Sequence, residues 1–151
     1  MKRLLIVYHS QSGHTAQLAD AVKAGADTAD GIEVRCLKAF DAGVDDLAHC
    51  DALLLGTPEN FGYMSGALKD FFDRTYYPLE GQLTGLPFAI FISAGNDGTN
   101  AVREIRRIAT GYGWREVSEA HIARGEVQPA DLDACHALGA AMAEGLAMGI
   151  F

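Results

Sequence analysis

Cysteine is scarce in this chain: Cys36, Cys50 and Cys135 are the only three. They are odd in number, far apart and form no Cys-x-x-Cys. That argues against a disulfide scaffold and against a zinc site, and favours reduced thiols in a cytoplasmic setting. Basic residues are also few, with 12 Lys and Arg against 20 Asp and Glu, a formal charge of −8. The deficit excludes the basic footprint of a nucleic-acid binder and a polybasic membrane anchor. Long apolar runs are missing too. No segment approaches the ~20 residues of a membrane span. The run after Met1-Lys2-Arg3 ends at Tyr8, short of a secretory signal. Repeats, low-complexity tracts and linkers are lacking, so residues 1–151 read as one domain.

What is present is alternation between short apolar runs and longer stretches of helical period. Leu4–Tyr8, Ala52–Thr57 and Pro87–Ser93 are continuous apolar runs, the pattern of strands covered on both faces. Glu33–Leu37 alternates like a flanking strand, and Trp114 to about Ile122 reads as a last strand. Helical spacing covers Thr15 to about Ala29, Ser65 to about Tyr76 and Thr99 to about Thr110. Pro129 opens a closing helix to about Met148. Ala39–Cys50 gives the weakest signal. Five strands alternating with about five helices predict an α/β fold: a parallel sheet with helices on both faces. Ligands in such sheets bind beyond the carboxyl ends of the strands. The loops after strands one, three and four are therefore the places to look.

The first loop is Ser10-Gln11-Ser12-Gly13-His14-Thr15, which runs straight into a helix. Hydroxyls and unpaired first-turn amides suit an anion. The loop lacks the phosphate-binding pattern for a nucleoside triphosphate and the G-x-G-x-x-G of a dinucleotide site. A single phosphate monoester fits better; taken alone, the same residues also make an ordinary helix cap. The second loop, Gly56 to Gly66, holds Pro58, Glu59, Asn60, Phe61, Gly62, Tyr63 and Met64. Its glycines admit close approach of a planar ring, and Phe61 is the candidate contact. Met64 reads as core. The third loop, Ser93-Ala94-Gly95-Asn96-Asp97-Gly98, offers accessible peptide groups to the edge of a ring. Alone it reads as a tight turn before a helix.

Together the three loops describe a ligand with one phosphate and a flat heterocycle, namely FMN. Here the sequence resembles the flavodoxin-like family of FMN proteins. The resemblance rests on Ser10-x-Ser12-Gly13-x-Thr15, on Gly56-Thr57-Pro58-x-x-Phe61-Gly62-x-Met64-Ser65-Gly66, and on Ser93-x-Gly95-x-x-Gly98. The second stretch looks most like the NAD(P)H-dependent FMN and quinone reductases, including the tryptophan-repressor-binding-protein-like branch. The resemblance implies a flavodoxin-like three-layer sandwich with strand order 2-1-3-4-5. It implies FMN phosphate on Ser10, Ser12, Gly13, His14 and Thr15, and the ring between Pro58–Tyr63 and Ala94–Thr99. Asp97 would then place a carboxylate near the ring. Tyr63 and Tyr112 are candidates for the substrate side.

Two functions follow from that resemblance. One is an oxidoreductase that carries reducing equivalents from NAD(P)H through FMN to a quinone or similar acceptor, with no catalytic protein nucleophile. The alternative is a flavodoxin-type electron carrier. The third loop favours the enzyme, because Ala94–Asn100 holds no aromatic to cover the ring. A phosphoaspartate receiver is rejected, since His9-Ser10 and Gly56-Thr57 stand where its acids belong. Asp131, Asp133, Cys135 and His136 lack a third ligand group of recognisable spacing and read as a solvated helix face. Arg103, Arg106 and Arg107 read as an outer charged face. The apolar end, Gly149-Ile150-Phe151, suggests a homodimer.

Overall fold

A computed structural model describes residues 1–151. Six parallel strands form one sheet: β1 (Lys2–Tyr8), β2 (Ile32–Lys38), β3 (Ala52–Pro58), β4 (Pro87–Ala94), β5 (Arg115–Glu116) and β6 (His121–Arg124). The order is β2-β1-β3-β4, with β5 and β6 both paired to the free side of β4. The helices are α1 (His14–Ala26), α2 (Val44–Ala48), α3 (Gly66–Leu79), α4 (Thr99–Tyr112) and α5 (Pro129–Ala147). No helix is long and apolar enough to cross a membrane.

Two cores lie on opposite faces of the sheet, and strand alternation divides them. Leu5, Val7, Leu53, Leu55, Phe88, Ile90 and Ile92 face α3 and α4. Leu4, Ile6, Ala52, Leu54, Ala89 and Phe91 face α1 and α5. This is why β3 and β4 are apolar at successive positions: both of their faces are covered. Strand β2, at the sheet's edge, has no fully buried residue.

Three elements differ from the sequence reading. The expected last strand is broken in two. Pro87 faces Arg115 and Phe91 faces His121, so the outer chain carries two more residues than the stretch of β4 beside it. Residues 117–120 take up the excess as a bulge. The uncertain Ala39–Cys50 stretch contains a 3-10 turn at Ala39–Asp41 and the single-turn-scale α2. Helix α3 runs on through Pro78 to Leu79, because proline in a last turn removes one helix bond without ending the coil.

Phe151 packs against the α1/α5 core, and its ring fills the space over Gly145. Met148 and Ile150 stay 72% and 65% exposed.

Candidate functional site

The parallel order brings the carboxyl ends of β1, β3, β4 and β6 to one edge. There a cleft of about 620 Å3 is lined by Gln11, Ser12 and His14, by Pro58, Glu59 and Asn60, by Ser93, Ala94 and Gly95, and by Gly125 and Glu126. All three loops expected from the sequence contribute to it.

In the first loop, Gly13 takes φ +100 at the N-cap of α1, a conformation that favours glycine. The N–H groups of His14 and Thr15 have no acceptor within the helix, as in any first turn. Ser10 is used internally: its Oγ accepts from the Ala16 amide at 3.1 Å. Thr15 is buried, and its Oγ1 lies 2.7 Å from Ser93 Oγ. Of the hydroxyls expected to face an anion, only Ser12 lines the cleft.

The second loop is a two-residue hairpin. Asn60 and Tyr63 exchange both backbone hydrogen bonds, at 2.8 and 3.0 Å, around Phe61 and Gly62. Both turn residues have positive φ, +52 and +73, as a tight hairpin of this hand requires. The hairpin is tied down on every side. The Glu59 amide donates to Ser93 O at 2.8 Å. Asn60 Nδ2 donates to Gln11 Oε1 at 3.1 Å, and Asn100 Nδ2 donates to Gly62 O. Ser65 N donates to the buried Thr57 Oγ1 at 2.9 Å, which fixes the exit into α3.

Phe61 departs from the expectation of a ring wall: it is fully exposed, outside the cleft lining. Gly62 and Tyr63 lie outside the lining as well, and Tyr63 leans on the α3/α4 core. Met64 is buried, as expected. Tyr112 is not on a substrate face. It is buried, 2.6 Å from Thr75 Oγ1, and burial raises its phenol to about 12.

In the third loop, Asn96, Asp97 and Gly98 stand back from the cleft. The Asp97 carboxylate turns onto Thr99, accepting from its hydroxyl at 2.9 Å. A side chain at Gly98 would meet Ile122, 2.7 Å from its Cβ, and φ is +88 there. Gly98 is thus needed to start α4 over β6.

A fourth loop was missed from sequence. Gly125 and Glu126 follow β6 and close the cleft beside α1. Glu126 Oε2 lies 3.4 Å from His14 Nε2. They sit, like the other three loops, beyond the carboxyl end of a strand. Asp131 pairs with His121 at 2.9 Å, and Arg106 with Glu116 at 2.7 Å.

Comparison with known proteins adds a family. The profile of the family described as NADPH-dependent FMN reductase matches residues 38–128. An NAD(P)H dehydrogenase (quinone) of Acidithiobacillus ferrooxidans is 35% identical over 114 residues, covering 62% of this chain and 57% of that protein. A flavodoxin of Aquifex aeolicus is 34% identical over 98 residues, covering 65% and 53%. The chain therefore spans just over half the length of the curated relatives it matches. Among solved structures, a WrbA-like flavodoxin from Agrobacterium tumefaciens superposes with a TM-score of 0.80 at 25% identity, covering 98% of this chain and 99% of that one. With its flavodoxin-like sheet and a profile match over more than half its residues, the chain belongs to the NADPH-dependent FMN reductase family.

Proposed function

We propose that this protein is an FMN-dependent oxidoreductase that moves reducing equivalents from NAD(P)H to a quinone or similar acceptor. The residues present fit the flavin. A cleft of about 620 Å3 is within the ~300–1,000 Å3 typical of small-molecule sites. Its α1 end offers Ser12 and open first-turn amides, a neutral donor set suited to one phosphate. Its middle offers the peptide groups of Pro58–Asn60 and Ser93–Gly95. When bound, FMN supplies the electron chemistry, and the protein supplies position and surroundings. The bonds that join Gln11 to Asn60 and Glu59 to Ser93 hold the loops in place before any ligand arrives, which lowers the ordering cost of binding.

The observation that carries the enzymatic reading is that no Phe, Tyr or Trp lines the cleft. An uncovered ring leaves room for a nicotinamide or a quinone to stack. The reading takes residues 1–151 as one domain, supported by the single sheet with a core on each face. It includes a homodimer through the exposed Met148 and Ile150; a monomeric mass in light scattering would remove that part.

A flavodoxin-type carrier is the second reading, supported by the 34% identical flavodoxin and by the charge of −8, which suits steering toward basic partners. Anaerobic titration separates the two. Bound flavin that bleaches with NADH or NADPH faster than free FMN supports the reductase. Bound flavin that bleaches only with dithionite supports the carrier.

A further inference from the structure

The cleft that begins at α1 carries acidic side chains and no fixed positive charge. No Lys or Arg lines the cleft; two carboxylates, Glu59 and Glu126, do. The nearby Arg124 is turned away, with its Nε donating to Asp97 O at 2.9 Å. His14, the first residue of α1, is the lone side chain in the lining able to carry positive charge, and Glu126 Oε2 already sits 3.4 Å from its Nε2.

We infer that Glu126 is a specificity-determining residue of the flavin site, setting how strongly the protein prefers FMN to riboflavin. This rests on the function proposed above. Glu126 engages His14 and places negative charge beside the open amides of α1. A phosphate monoester arriving there carries about −1.5 to −2 at pH 7. Held at the start of α1, it shares the cleft with the Glu126 carboxylate and competes with it for His14. Riboflavin has the same ring and ribityl chain without the phosphate, so it escapes that penalty. Glu126 thus narrows the affinity gap between the two flavins and favours an FMN that exchanges over one held permanently. The carboxylate is 84% exposed, so the effect is screened by salt and moderate in size.

The test measures dissociation constants of FMN and riboflavin for the wild-type protein and Glu126→Gln by flavin fluorescence. Glu126 lies on an exposed loop, and a matching thermal midpoint confirms that the variant is folded. Glu126→Gln is expected to tighten FMN binding about three- to tenfold at low ionic strength, and less at about 0.5 M salt, with riboflavin changed by less than about twofold. An FMN affinity that does not change overturns the inference. So does an equal shift for both flavins, which would mark a shape effect on the ring. Failure of both proteins to bind either flavin overturns the proposed function, and this inference with it.

Discussion

Phe61 is where backbone preference and burial conflict most openly. A non-glycine residue at φ +52 costs about 1 kcal/mol or more, and a fully exposed ring gains nothing within the chain to offset it. Phe61→Asn is expected to raise stability by about 0.5–1 kcal/mol, seen as a higher urea midpoint at unchanged slope. A midpoint that falls would mean the ring makes contacts in solution. If Phe61 lies against bound flavin, the same variant also weakens FMN binding, so stability and affinity move in opposite directions. Thr15 presents the converse case. Its pattern read as an anion ligand, yet its hydroxyl is buried against Ser93. Thr15→Val leaves Ser93 without that partner and is expected to cost about 1–3 kcal/mol, with Thr15→Ser costing clearly less. A larger loss in Thr15→Ser than in Thr15→Val would show that the methyl group matters and the hydroxyl pair does not. Sequence could not assign these hydroxyls individually. Helix capping, loop tethering and anion binding all favour Ser and Thr before a helix, and only geometry separates them.

Elements were legible where burial dictates composition. Strands β1, β3 and β4 stand out because two covered faces demand apolar residues, from Leu4 onward in β1 and along most of β3 and β4. Strands β5 and β6 read as one strand because each is short, and a two-residue excess leaves no mark in hydropathy. Gly125 and Glu126, just past β6, are unmarked in the sequence for the same reason. Small residues in α5 signal close packing in the sequence but not its partner, which the structure shows to be α1. What sequence did not show is how close. A Cβ at Gly25 would stand 1.9 Å from His136 O, and one at Gly139 the same distance from Val22 O. Both obstacles are backbone, which cannot swing aside. Gly25→Ala and Gly139→Ala are each expected to destabilise by about 3 kcal/mol, the upper end for overpacking. One outward shift of α5 relieves both clashes, so the double variant should lose clearly less than the two losses combined. Urea unfolding of the four proteins decides this; full additivity would mean that the two contacts yield independently.

At the scale of the whole molecule, both cores hold thiols that water scarcely reaches. Cys50 lies in the α3/α4 core and Cys135 in the α1/α5 core, while Cys36 packs against the latter from the edge strand. Burial raises Cys36 from 9.0 to about 11, and Cys50 and Cys135 to about 12. Burial likewise raises Tyr112 from 10.0 to about 12. All four stay protonated in the native protein at pH 7, so the thiols should react slowly with disulfide reagents until the chain is unfolded. The sign of the pH effect follows from proton counting. Above pH 9 the unfolded chain releases thiol protons that the native protein keeps, and stability then falls with rising pH. The decline starts near pH 9 and continues toward the native values of about 11 to 12. The paired Lys23 and Lys69, also raised, lose their partners' attraction in the same direction at higher pH, but exposed pairs of this kind contribute little. Urea midpoints should therefore stay level from about pH 7 until close to pH 9, then fall toward about pH 10 in the wild-type protein and much less in a Cys36→Ala, Cys50→Ala, Cys135→Ala variant. The comparison is between slopes, because removing buried thiols also lowers stability at every pH. An identical slope in both proteins would place the alkaline loss elsewhere, in the self-repulsion of a chain already at −8 at pH 7.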